Sequence, residues 1–412
     1  MTEQIETVII GGGQAGLSLS YYLTQQSRKH VVLEQAAQAG EAWRNHRWDS
    51  FTWVTPNWQI RLPGAEYQGD DPNGFLTRPE IVAYFEQYVE RFKLPVRYNV
   101  RVTAVEPKPG GGYAVITNGE TFEAANVVIA IGIFQHPKIP AFSRNFPPEV
   151  KQLHSGDYRN PQALPSGAVL VVGSGQSGAQ IAEELYQSGR KVYMCVGAAG
   201  RFPRRYRGHD ITWWLNKIGR ARRVKLPKPV RLPANPHVSG KDGGHTLNLH
   251  QFARDGVVLL GHITGAQDGK IFLAPDLKES LAKADKVEAR ITFLIDLYAL
   301  ITFSKTPREK LPKLRDGYGV EVVSELDLKS TNITSVIWAS GYSYDFSLVK
   351  ASVLDDNGYP IHQRGVTQSP GLYFLGLPWF TKSTLVLGIG DDAAHIASAI
   401  MAKDQKRRGG GK

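Results

Sequence analysis

The chain has 412 residues, 42% of them hydrophobic and 21% charged, which fits two or three folded domains and excludes wholesale disorder. Its single cysteine, Cys195, excludes any internal disulfide and any Cys-x-x-Cys electron relay. Lysine and arginine number 49 against 38 acidic residues, so a net charge of +11 has to be placed.

The first ten residues carry Glu3, Glu6 and only a short apolar run. A secretory leader needs a basic flank and a longer apolar core, and a membrane span needs about 18 apolar residues. A soluble cytoplasmic protein is expected. Thr7–Ile10 is β-branched and predicts a strand; Gly11-Gly12-Gly13-Gln14-Ala15-Gly16 follows, then a helical pattern from Leu17 to Leu23. In such a strand, glycine turn and helix, Gly11 permits the tight turn and Gly13 lets backbone approach a pyrophosphate. Gly16 lets helix and strand pack closely. Gln14 and Ala15 open a helix whose free N–H groups favour phosphate. His30–Glu34 reads as the next strand, and Glu34 stands where a carboxylate accepts hydrogen bonds from a ribose diol, with Gln35 beside it. Residues 76–92 predict a helix, because Thr77, Pro79 and Glu80 form a start signal ahead of an apolar stripe of Ile81, Tyr84, Phe85, Tyr88, Val89 and Phe92.

The glycine pattern recurs 162 residues on. Ala168–Val172 precedes Gly173-Ser174-Gly175-Gln176-Ser177-Gly178, and a helix follows through Ile181 and Leu185. The next strand, Lys191–Val196, ends in Val196 where the acid should be, with Arg201, Arg204 and Arg205 soon after. A guanidinium can grip a 2′-phosphate, so NADPH is expected over NADH. Two dinucleotide sites in one chain imply a flavin in one and a hydride donor in the other. Residues 201–231 hold eleven basic residues against Asp210 alone. That segment reads as a solvated basic face or as a contact for an anion, whether cofactor phosphate, acidic substrate or lipid headgroup. No nucleic-acid recognition fold accompanies it. Asp276–Tyr298 predicts another helix. His136, His154, His245 and His250 lack metal-ligand spacing, so no metal site is expected. Residues 403–412 are polar and glycine-rich and predict a frayed tail.

Further motifs accompany the fingerprints: Gly40-Glu41-Ala42-Trp43, Pro56 with Pro63, Ala130-Ile131-Gly132 with Pro137 and Pro140, Ala339-Ser340-Gly341-Tyr342, and Gly388-Ile389-Gly390-Asp391-Asp392-Ala393. Together they resemble the class B flavin-dependent monooxygenases, which include flavin-containing monooxygenases, the plant YUCCA group and Baeyer–Villiger enzymes. The resemblance runs from about residue 5 to 400 and is weakest between about 205 and 320. It implies an α/β fold of two Rossmann-like dinucleotide-binding domains. The NADPH domain, 161–325, would be inserted into an FAD domain built from 1–160 and 326–402, with 403–412 as tail. It further implies FAD, NADPH and molecular oxygen, a C4a-(hydro)peroxide, and oxygen transfer to a small nucleophilic or carbonyl substrate. By the same resemblance Trp43, Val102, Gly132, Gly341 and Asp391 lie at the cofactors, and Asn57, His154 and Asp391 lie near the flavin ring. Residues 200–207 and 248–256 resemble a bacterial subgroup often found in gene clusters with a nitrilase. One departure stands out. The family's Phe-x-Gly-x-x-x-His signature keeps His154, and Tyr158 beyond it, but has Pro148 and Val150 in place of Phe and Gly. It predicts looser domain closure and leaves two alternatives to oxygenation open: an NADPH oxidase, or a redox-sensing, partner-binding flavoprotein.

Overall fold

A computed structural model describes residues 2–198, 200–220, 237–302, 305–377 and 388–409. Val8, Ile9 and Ile10 are apolar on both faces and buried, as a strand inside a parallel sheet must be. Their strand, Thr2–Ile10, sits between His30–Leu33 and Thr121–Ile129, parallel to both, with Ile9 opposite Val32 and Val128. Val96–Arg97 extends this sheet beyond His30–Leu33. On the other side Tyr113–Thr117 and Val102–Pro107 continue it antiparallel from the first half of Thr121–Ile129, while Leu372–Phe374 pairs in parallel with the second half.

The second sheet has five parallel strands in the order Lys151–His154, Ile333–Trp338, Ala168–Val172, Val192–Cys195 and Val258–Leu260. It repeats the plan of the first. A central strand runs into a glycine turn and a helix, Gln14–Gln25 or Gln176–Gln187. The strand after that helix lies on one side of it, and a later crossing strand lies on the other. By sheet membership the chain leaves the first sheet after Ile129 and returns after Trp338, because Lys151–His154 and Ile333–Trp338 pair with each other in the second. The exchange points therefore lie near residues 130–150 and 339, not at 160 and 325.

Thr77 caps Arg78–Arg91 in a reciprocal capping box with Glu80, as its sequence predicts. Leu277–Ile301 runs three residues past the expected end. The closing helix, Ile389–Gly409, packs on Gln14–Gln25 and continues through most of the segment expected to fray. Lys403 Nζ fastens it by donating to Ala125 O at 2.7 Å and Asn126 Oδ1 at 3.1 Å. Among the described residues no helix is long and apolar enough to cross a membrane.

The sheets are tied to one another by side chains. Glu184, on the second glycine-turn helix, accepts from Ser50 Oγ at 2.6 Å and from Tyr158 OH at 2.7 Å. Beside the altered signature other side chains fill the core of the second sheet. Phe146, two residues before the position that the family's Phe would hold, packs edge-on against Trp338 with ring centroids 5.5 Å apart, and Val150 is buried in the same cluster.

Any side chain at Gly178 would collide with the carbonyl oxygen of Gly173, whereas a Cβ at Gly175 meets nothing within 4 Å. Gly178→Ala should therefore cost about 1–3 kcal/mol or more by overpacking, and Gly175→Ala should stay within about 0.5 kcal/mol of wild type. Urea unfolding midpoints of the two variants check this.

Candidate functional site

Each glycine turn is built against its crossing strand. Gly11 has φ +109°, and a Cβ there would lie 2.5 Å from Ala130 O; Gly173 has φ +106°, and its Cβ would lie 2.6 Å from Ala339 O. Only glycine combines that backbone angle with that approach. The middle glycines behave in the opposite way. Gly13 and Gly175 have ordinary extended backbone, and nothing lies within 4 Å of a Cβ on either. No side chain caps the helix that follows, so the amide end that opens at Gln14, Ala15 and Gly16, and again at Gln176, Ser177 and Gly178, faces free space. Both turns have the open, uncapped geometry that a phosphate cradle requires.

Glu34 is held in place by two backbone donors, Gly12 N at 2.7 Å and Ala36 N at 2.8 Å, which aim its carboxylate at the turn. Gln35, Asn99, Arg101 and Asn118 line a neighbouring open cavity of about 540 Å³; Val102, next in the chain after Arg101, begins the strand Val102–Pro107 and is not part of the lining. In the second unit the corresponding strand ends in buried Val196, and Ser174 Oγ closes the turn by accepting from Gly197 N at 3.0 Å. His237 is buried beneath this turn against Ser174 O, and burial pushes its pKa down to about 4, so it is neutral.

Several buried polar side-chain atoms have no protein partner, among them Gln14 Oε1 at the first cradle and Thr52 Oγ1, Asn57 Oδ1 and Gln59 Nε2 on the segment that follows Trp43. Native structures rarely leave such atoms unpaired, and they suit the heteroatom-rich ring of a flavin. Gln176 Oε1 is the counterpart at the second cradle. Sequence reasoning missed Thr52 and Gln59, which no motif marks. Trp43 follows a turn that Gly40 permits at φ +75°, and it packs edge-on against Trp53 with centroids 5.4 Å apart. Gly132 and Gly341, at φ +72° and +83°, follow the crossing strands, and no neighbour lies within 4 Å of a Cβ on either.

The three residues expected near the flavin ring do not form one cluster. His154 is buried with both ring nitrogens committed: Nδ1 accepts from Gly156 N at 3.2 Å, and Nε2 donates to Gly341 O at 3.0 Å. It positions the second crossing turn and is not free to act on a ligand. Asn57 donates to Asp71 O at 3.0 Å, and Asp391 lies exposed in the first turn of the closing helix, acting on Tyr22. Among the described residues no hydrogen bond or ring contact joins these three. The phosphate-gripping arginines fare no better. Arg201 is buried and bonded to Asp285 at 2.7 Å and Glu288 at 2.8 Å, and Arg204 is buried between Asp210, Val54 O and the Phe75 ring. Only Arg205 is exposed, resting on the Gly243 and Gly244 carbonyls. Arg207 likewise pairs with Asp296 at 3.0 Å. Part of the basic segment is thus neutralised inside the protein; residues 221–231 lie outside the described residues.

Comparison with known proteins agrees with this geometry. The family profile described as pyridine nucleotide-disulphide oxidoreductase matches residues 8–226. The chain belongs to that family. An uncharacterized oxidoreductase, CzcO-like, from Geobacillus kaustophilus (strain HTA426) is 35% identical over 97% of this chain and 99% of its own length. The indole-3-pyruvate monooxygenase YUCCA1 of Oryza sativa subsp. japonica is 26% identical over 97% and 92%. A flavin-containing monooxygenase from Stenotrophomonas maltophilia shares the fold, with a TM-score of 0.65 at 20% identity over 97% and 99% of the two chains. These relatives bear out the resemblance to flavin-dependent monooxygenases that the motifs carry. The chain is an oxidoreductase of that family.

Two outcomes follow from the cradle and from the arginines. Gly13→Leu fits the backbone but fills pyrophosphate space, where charge-assisted bonds are worth about 1.5–3 kcal/mol each. Flavin content should fall at least about tenfold with the unfolding midpoint of the flavin-free protein unchanged, read by absorbance and denaturation. Arg201→Met leaves two carboxylates without their cation and should cost about 3–5 kcal/mol of stability. Its residual activity should keep the wild-type ratio of NADPH to NADH Michaelis constants.

Proposed function

We propose that the protein is an NADPH-dependent monooxygenase that places one atom of molecular oxygen on a small nucleophilic or carbonyl substrate. The observation that carries this reading is the duplicated cradle, with two equivalent turns and a crossing strand after each, in a chain with no thiol relay. Cys195 is the sole cysteine; it is buried, and burial pushes its thiol up to about 12. Reduction by a dithiol, which the family's name suggests, is closed to it. Electrons must then pass directly from nicotinamide to flavin.

Bound FAD would supply the redox and oxygen-activating chemistry, at its C4a position. One NADPH, one proton and one O2 would yield NADP⁺, water and a substrate carrying one added oxygen atom. The chain's residues do the rest. The amide ends at Gly13 and Gly175 hold the pyrophosphates, and Glu34 holds a ribose. The orphaned amides of Gln14, Asn57 and Gln59 orient the flavin ring. Trp43, Phe51 and Trp53 exclude water on its side of the joint. His154, through Gly341 O, fixes the turn at which the NADPH half meets the flavin half.

Purified protein supplied with NADPH and isotopically labelled O2 should incorporate one labelled atom into at least one member of a panel of amines, sulfides, ketones and oxo acids. Consumption of NADPH with hydrogen peroxide as the sole product would favour the oxidase reading, and a single reduction without turnover would favour the sensor. His154→Ala should keep its flavin but release at least about twice as much hydrogen peroxide per NADPH, because the turn it holds no longer shields the site.

A further inference from the structure

Large apolar side chains are mostly buried here, and several of the exposed ones gather on a single helix. Phe293 is 62% exposed, Leu300 68% and Ile301 50%, all in the last three turns of Leu277–Ile301, with Leu297 half-buried among them. Residues 293, 297 and 300 share one face, because helical side chains three and four apart lie one above the other. The opposite face is used in packing. Ile291, Ile295 and Ala299 are buried in one cluster with Ile211 and Trp214 of the helix Ile211–Arg220. Folding needs one apolar face on such a helix, and this end has two.

Cations rim this ridge at both ends. Arg290 and Lys286 are exposed one and two turns before Phe293. Past the helix, Lys305, Arg308 and Lys310 are exposed on a segment that is held beside it. Arg207, paired with Asp296 of the helix at 3.0 Å, also donates to Pro307 O at 2.9 Å, and Leu311 packs against the shared cluster. The acids nearby, Asp296 and Glu309, are engaged by Tyr206 and Arg207. Among the described residues none of the five cations forms an ion pair or a side-chain hydrogen bond. Charge and apolarity together select the partner. Two copies meeting across this face would set like charges against each other. Nucleic acid would take the cations but gain nothing from Leu300 and Ile301. An anionic bilayer answers both, with the apolar ends entering the headgroup boundary and the basic ends lying at the phosphates.

We propose that the C-terminal end of the helix Leu277–Ile301, with residues 305–310 beside it, is a docking surface for an anionic lipid bilayer, on which the protein lies without spanning it. The surface goes beyond the oxygenase reading and does not depend on it. Flotation of the full-length FAD-loaded protein with vesicles measures the partition, using phosphatidylcholine alone or with about one-third phosphatidylglycerol. Anionic vesicles should take up at least about tenfold more protein, since each basic residue near such a surface contributes about fivefold. Salt at about 0.5 M should remove most of that preference by screening. Phe293→Ser combined with Leu300→Ser should weaken binding to anionic vesicles at least about tenfold. Arg308→Gln combined with Lys310→Gln should weaken it about ten- to thirtyfold. Flavin content and unfolding midpoint should match wild type in both, because all four side chains are exposed.

Equal uptake by neutral and anionic vesicles overturns the proposal, and so does undiminished binding by either double variant. A protein that sediments as a dimer, becomes monomeric in the serine variant and ignores vesicles would give this face to a second copy instead. Tighter binding to soluble polyglutamate than to anionic vesicles would give it to an acidic protein. Should the serine variant fail to fold, the glutamine variant and the salt series decide the matter by themselves.

Discussion

The contact on which the molecule depends is the approach of a glycine to a carbonyl oxygen, made twice. Gly11 against Ala130 O and Gly173 against Ala339 O bring each cradle against the strand that crosses between the sheets. Backbone bonds lock the same corner, with Ala130 N donating to Ile10 O and Ala339 N to Val172 O, both at 2.8 Å. A Cβ at either glycine would push the crossing strand away from the cradle. The turns at 130–132 and 339–341 would move with it. The shape of the cradle and the joining of the sheets are therefore one constraint, and the cradle glycines divide into two kinds. Those at the strand and helix contacts are required by packing, and those in the middle meet no neighbour within 4 Å.

Charge is organised by the same joint. The basic excess seen in the sequence invites a surface reading, yet Arg201, Arg204 and Arg207 are drawn inward to acids and carbonyls. Arg204 reaches Val54 O, so it fastens the loop after the second cradle onto the flavin-side segment. Such buried pairs add less to stability than their number suggests, but losing one partner is expensive. They hold geometry. Arg47, half-buried, differs in having the rings of Trp43, Phe51 and Phe134 for neighbours.

Local patterns were legible in the sequence wherever one residue type answers one backbone need. Both glycine turns, the Thr77 capping box and the buried strand Ala168–Val172 fall where the sequence predicts them. What the sequence hid were partners far along the chain. Arg201 meets acids 84 and 87 residues away, and nothing in its own neighbourhood announces Asp285 or Glu288. Sheet membership of Lys151–His154 was hidden for the same reason, since its pairing partner is Ile333–Trp338. The tail's composition argued for fraying, yet the closing helix runs on to Gly409, with Lys403 at the start of that segment bonded to Ala125 O. The open positions at Gly13 and Gly175 and the placement of Glu34 against the first turn follow the spacing in the sequence. The unpartnered atoms of Thr52 and Gln59 become visible only once burial and hydrogen bonding are known.

The broken signature shows how such a joint tolerates change. A phenylalanine and a glycine are missing from their usual places, and spacing alone suggested a gap. Phe146 instead turns its ring onto Trp338, Val150 enters the same cluster, and Phe142 meets Trp338 edge-on at 6.0 Å. Interiors reward filled volume more than a particular residue, so the hinge is rebuilt from different side chains. The polar half of the signature had less freedom. His154 must donate to Gly341 O and accept from Gly156 N at once, and Tyr158 must reach Glu184 from a fully buried ring. A hydrogen-bonding pair with two fixed ends cannot drift along the chain as a hydrophobic contact can. The half of the motif that survives is therefore the half whose directionality the two crossing turns require.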